Sequence, residues 1–95
     1  MQYLVTFRVP TLSDKMLEAI PRQRAAVDRL IANGVIMSYA LTKHMDRLYV
    51  IFDVTGEEDL KKQIYEMPLS RIMPFQYKEL YFHLGAETLP AISLN

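Results

Sequence analysis

Apolar and polar positions along the chain fall into four strand-like stretches and two helix-like ones. Tyr3, Val5, Phe7 and Val9 alternate with Gln2, Leu4, Thr6 and Arg8, which predicts a first strand with one clearly apolar face, ended by Pro10. Ser13 or Asp14 then caps a helix that continues through Leu17, Ile20, Val27, Leu30 and Ile31 to Asn33 and Gly34, a glycine suited to the left-handed residue after a helix. Pro21 lies inside this pattern. It has no amide proton and its ring meets the carbonyl four residues back, so a helix broken there is expected. Val35 to Thr42 predicts the second strand, and the polar Lys43-His44-Met45-Asp46 a hairpin into the third.

In the third strand, Leu48, Val50, Phe52 and Val54 share one face and Tyr49, Ile51 and Asp53 the other, so both sides are largely apolar and both want cover. Thr55 and Glu58 stand at capping-box spacing, the hydroxyl accepting from the Glu58 amide while the carboxylate reaches back. Leu60, Ile64 and Met67 form the apolar stripe of the helix that follows, and Pro68 stops it. After a short Pro68-Leu69 linker, a fourth strand carries Tyr77, Glu79 and Tyr81 on one parity and ends at His83.

The order β-α-β-β-α-β is met most economically by an α+β fold with an antiparallel four-stranded sheet and both helices on one face. Two short helices cannot cover both faces. Leu4, Thr6 and Ile51, or Tyr77 and Tyr81, are left on the other, and exposing such side chains forfeits roughly 1.5 to 3 kcal/mol each, which argues for a homodimer. Residues 1–84 are expected to form one domain and residues 85–95 a C-terminal tail. Its Leu89, Pro90, Ile92 and Leu94 either clasp a neighbour or cap a pocket, or are scattered in a loosely ordered terminus.

Composition narrows the function classes. The chain has 95 residues, 51% of them hydrophobic, which suits a single well-filled core. Eleven basic and eleven acidic side chains cancel, so nothing marks a nucleic-acid or anionic-membrane partner. The absence of cysteine excludes disulfides and thiolate chemistry and fits a reducing, cytoplasmic setting. Met1 to Pro10 alternates and contains Arg8, unlike a signal peptide, and no stretch approaches the roughly 20 apolar residues of a membrane span. Two histidines without cysteine argue against a zinc or iron site, and isolated Gly34, Gly56 and Gly85 offer no phosphate-cradling loop. Neither metal nor cofactor is expected. Six methionines read as adaptable core filler, or less simply as the lining of a ligand cavity.

Between Asn33-Gly34 and His83, over half the chain, the residues Tyr49, Phe52-Asp53-Val54, Leu60, Pro68-Leu69, Met73, Leu80 and His83 resemble the muconolactone delta-isomerase family. The resemblance implies a ferredoxin-like subunit that pairs into a dimeric α+β barrel. It also implies a family in which the named member shifts a double bond in a small unsaturated lactone acid.

Such chemistry needs a base beside an unsaturated carbonyl, donors for the dienolate, and an acid to return the proton. His83 matches a family histidine and is the first candidate; its plainer role is a hydrogen-bonded structural residue. Asp53 matches the family's Phe-Asp-Val and becomes a base if desolvated, or else bonds the amides of the following turn. Glu79 departs from the family pattern, which has a small residue there, and faces either a cavity or solvent. Arg24, read as lying on the inward stripe of the first helix, is placed to clamp a carboxylate or to pair with Asp28 one turn on. Tyr39 and Tyr81 complete the candidate substrate contacts, and His44 beside Asp46 forms a further polar pair.

The second strand, Ile36-Met37-Ser38-Tyr39-Ala40-Leu41, lacks the aromatic and basic residues of the isomerases. Three readings follow. The first is a cofactor-free isomerase acting on a small unsaturated acid or lactone. The second is a non-catalytic protein of the same fold that binds a small molecule or serves in assembly, as a homodimer or a higher oligomer. The third is a cofactor-free oxygenase using Tyr77 and Tyr81 around an aromatic substrate.

Overall fold

The computed structural model describes residues 1–84; the tail expected at residues 85–95 lies outside the described residues. Within it, β1 (Gln2–Arg8), α1 (Asp14–Ala32), β2 (Ile36–Leu41), β3 (Arg47–Asp53), α2 (Glu57–Tyr65) and β4 (Phe75–Glu79) follow the expected order, with a short 3₁₀ helix at Pro68–Ile72. The strands form one sheet in the order β2-β3-β1-β4, with every neighbouring pair antiparallel. This is the α+β architecture that the alternation implied.

Register decides which side chains share a face. Val5 lies opposite Val50 on one side and Tyr77 on the other, so Tyr3, Val5, Phe7, Leu48, Val50, Phe52, Phe75 and Tyr77 all point towards the helices. Tyr77 thus belongs to the helix face. Gln2, Leu4 and Thr6 lie across from Asp53, Ile51 and Tyr49 on the opposite face. Leu4, Thr6 and Ile51 are half-buried and Tyr49 exposed there, with no helix or strand over them among the described residues.

Local chemistry explains most element ends. The Ser13 hydroxyl accepts from the Met16 amide at the start of α1. At the other end, Gly34 adopts φ +77° while Gly34 and Val35 donate to the carbonyls of Ile31 and Leu30. That is the two-bond, left-handed glycine cap expected of this position. The expected break at Pro21 does not occur, and α1 runs unbroken through it. Pro21 is exposed, so the bond it cannot make is lost on the solvent side, while six buried residues seat the helix along its other face.

The Thr55 capping box is also replaced. Gly56 is the N-cap of α2, the Leu60 amide donates to its carbonyl, and the Asp59 carboxylate reaches back to the Thr55 amide at 3.0 Å. Register within the turn moves the whole cap one residue along. Helix α2 closes at Glu66 ahead of Pro68, and Met67 takes the extended conformation that a following proline favours. The Pro68-Leu69 linker is the start of the 3₁₀ helix.

The fourth strand is shorter than expected. Glu79 pairs with Tyr3 and the Leu80 amide donates to Gln2, while Met1 turns its backbone groups to Val54 on the other side. His83 therefore lies beyond the sheet and not at a strand end.

Candidate functional site

Helix α1 and the β2–β3 side of the sheet do not close on each other. Between them lies a cleft of about 440 Å³. Met16, Ile20, Gln23 and Val27 form its α1 wall, Tyr39, Leu41 and Leu48 its sheet wall, and Leu69 and Met73 of the 3₁₀ segment its end. The walls are almost wholly apolar. Met45, held at the hairpin tip with φ 59°, and Leu12 stand at the rim.

Gln23 is the polar residue at the centre of this arrangement and is only 6% exposed. Its Oε1 accepts from the Leu69 amide at 3.0 Å and its Nε2 donates to the Tyr39 hydroxyl at 3.3 Å. A buried amide needs such partners, and here they tie α1 to the 3₁₀ segment and to β2. The sequence reading missed Gln23. Its signal is positional, a polar side chain in line with Met16, Ala19, Ala26, Val27 and Leu30, the buried residues of α1.

Arg24 is one residue further round. Its side chain is 82% exposed, so it is not on the inward stripe as expected, a correction of about 100° in helical phase. It stands at the mouth of the cleft, with its Nε 3.9 Å from the Asp28 carboxylate, and both residues border the opening. An exposed pair at that distance adds little stability and leaves the guanidinium accessible. Arg24 and Tyr39 are the sequence-nominated residues that the structure brings around one cavity.

The other nominees lie elsewhere. Asp53 is on the face away from the helices, at the end of β3, 3.5 Å from the N-terminal ammonium. Glu79 is on the helix face at the far edge, opposite Tyr3. Beside it, Tyr77 donates to Glu57 at 3.2 Å and its ring stands edge-on to Tyr3. Burial pushes the Tyr3 hydroxyl above the usual phenol range, helped by the negative charges of Glu79 and Glu57. His83 is half-buried, and its Nδ1 is enclosed without a hydrogen-bond partner among the described residues. Tyr81 is 99% exposed and meets Phe82 edge-on, so Tyr77 and Tyr81 do not line one cavity. In the hairpin, Asp46 accepts from the Thr42 hydroxyl at 2.6 Å, which holds its carboxyl below the usual range, and His44 is exposed.

Among the described residues, no three histidine, aspartate or glutamate side chains gather as a metal site would require, and no helix is long and apolar enough to cross a membrane.

The four-stranded antiparallel sheet, its strand order and the two helices on one face define a protein of the muconolactone isomerase fold class. Superposition on a crystal structure of muconolactone isomerase gives a TM-score of 0.73 over 87% of this chain and 91% of that one, at 21% sequence identity. At that identity the likeness is one of fold. Neither models of known families nor the sequences of characterised proteins match the chain.

Proposed function

We propose that the protein binds a small, mainly apolar organic molecule in the cleft beneath α1, with the Gln23–Tyr39 pair as its polar contact and Arg24 at the mouth. The observation that carries this reading is the unfilled, apolar-walled space with two polar side chains converging on it. Its volume falls in the range of small-molecule sites, and a few fixed polar groups among apolar walls are what such sites use for orientation.

A second reading, a cofactor-free isomerase, is supported by the likeness of fold to muconolactone isomerase and by the enclosed Nδ1 of His83, which has no partner among the described residues. In it, His83, Asp53 or Glu79 removes a proton beside an unsaturated carbonyl and returns it at the other end of the dienolate, with Arg24, Tyr39 and Tyr81 as substrate contacts. None of those three proton carriers lines the cleft within one subunit, so this reading requires a second subunit to bring one of them to it. The face bearing Leu4, Tyr49 and Ile51, uncovered among the described residues, supports such a homodimer, because apolar area left in water is recovered on pairing.

One set of samples tests all three points. Isotope-labelled full chain is titrated with dimethylaminonaphthalene and, separately, with muconolactone, while sedimentation gives the assembly state and ultraviolet absorbance follows the double bond. Saturable shifts at the Gln23, Leu41 and Leu69 amides without turnover are expected for a binding protein. Turnover that His83→Ala abolishes puts the isomerase first, and no shift with either compound removes the cleft as a site. A monomer at tens of micromolar protein sinks the dimer.

A further inference from the structure

Resting on the cleft as a binding site, we infer that it selects molecules bearing a hydrogen-bond acceptor, a ketone or ester carbonyl on an apolar body, and that Gln23 sets this preference by holding Tyr39 as a donor. The direction of each proton decides this preference. A backbone N–H only donates, so the Gln23 atom facing the Leu69 amide is its oxygen, and the orientation of the whole side-chain amide is fixed. The NH2 group is thereby turned to the Tyr39 hydroxyl, which it meets at 3.3 Å. An NH2 group has no lone pair to offer. The Tyr39 oxygen must accept from it, and the hydroxyl hydrogen is left to point away from Gln23.

No acceptor for that hydrogen is present among the described residues, and Tyr39 borders the cleft. The cleft therefore presents one donor on a wall that is otherwise apolar, with its direction imposed from α1 and the 3₁₀ segment. A carbonyl oxygen completes the chain from Leu69 through Gln23 and Tyr39 to the ligand. A molecule that can only donate at that point faces a donor already committed, and a pure hydrocarbon leaves the hydroxyl unsatisfied. Both are disfavoured, because a ligand seated over the half-open Tyr39 hydroxyl takes it out of water without returning the partner it had there.

The test compares two dyes of one shape on the full chain, the ketone prodan and the same naphthylamine carrying a propyl group in place of the propionyl. The ketone is expected to bind roughly tenfold more tightly, as one good hydrogen bond allows. Its bound emission is expected to lie at longer wavelength than when bound to Tyr39→Phe, because an accepted hydrogen bond stabilises the charge-transfer excited state. Tyr39→Phe, which keeps the ring, should remove most of the preference and the shift, both by weakening the ketone and by relieving the propyl dye of an unsatisfied hydroxyl. Gln23→Met frees the hydroxyl to turn and should narrow the preference without abolishing it.

Equal binding of the two dyes, or a ketone preference that survives Tyr39→Phe, overturns the inference and leaves the cleft standing as a site. Failure of both dyes to bind overturns the site and the inference together.

Discussion

Two helices lie on one face of the same sheet, and they treat it differently. Under α2, Leu60, Ile64 and Met67 are fully buried against Tyr3, Phe52 and Val54, and the sheet is sealed. Beside α1, Leu12, Ile20, Ile31, Leu41 and Met45 remain between 38% and 48% exposed around an open cleft. The difference follows from what each helix presents. The inward stripe of α2 is made of large aliphatic side chains. That of α1 carries Ala19 and Ala26, too small to fill the gap, and Gln23, which holds the helix by directed bonds to Leu69 and Tyr39. Close packing and an unfilled site are alternatives, and the chain assigns one to each half.

That division predicts unequal costs of truncation. Leu60→Ala removes a fully buried side chain from the sealed half and should lower unfolding stability by about 2 to 5 kcal/mol. Leu41→Ala, in the cleft wall, should cost less than about 1 kcal/mol, since much of that side chain already meets solvent. Urea unfolding of both variants measures the contrast, and similar losses would break it.

Gln23→Leu sharpens the same comparison. It restores an apolar stripe but strips the Leu69 amide of its acceptor and Tyr39 of its donor, so it should destabilise by about 1 to 3 kcal/mol despite the greater hydrophobicity. Arg24→Ala, one residue away and exposed, should stay within about 0.5 kcal/mol of the parent. A stabilising Gln23→Leu would mean that the amide is a packing defect rather than a clasp.

The two halves also differ in how much of them was legible in the residues. The sealed half was plain, because Tyr3, Val5 and Phe7, Leu48, Val50 and Phe52, and Leu60, Ile64 and Met67 repeat with the periods of their elements and all are buried. Around the cleft, the apolar signal misleads. Leu17, Ile20 and Ile31 are apolar but 40% to 50% exposed, and they pull the apparent stripe of α1 round until Arg24 falls on it and Gln23 does not. Other misses came from outside the segment concerned. The end of β4 lies where its pairing with β1 stops, and the continuity of α1 through Pro21 follows from the surface it covers. Of the nominated site residues, Arg24 and Tyr39 meet at the cleft because one helix turn and one strand place them there. Asp53 and His83 matched a pattern in sequence order and Glu79 stood out as a departure from it, and sequence order says nothing about distance across a sheet.

The smallest expected effect concerns how α2 is begun. Asp59 accepts from the Thr55 amide and from the Gln63 side chain, and the Thr55 bond is the chief reason its carboxyl is held below the usual range. A carboxyl that is more acidic in the folded chain stabilises it at every pH above its unfolded value, near 4, and loses that contribution as the pH falls through the lower folded value. Asp59→Asn keeps an acceptor oxygen of the same shape but removes the charge, and with it the favourable placement of an anion in the first turn. The site is exposed, so solvent screening limits the loss to about 0.5 kcal/mol at neutral pH. The difference between the two proteins should be constant from neutral pH down to about 5 and vanish in acid below the carboxylate range. Thermal unfolding across that window measures it. A difference that persists undiminished in acid would show that the hydrogen-bond geometry, and not the charge, fixes the start of α2 and so the placement of the sealed half.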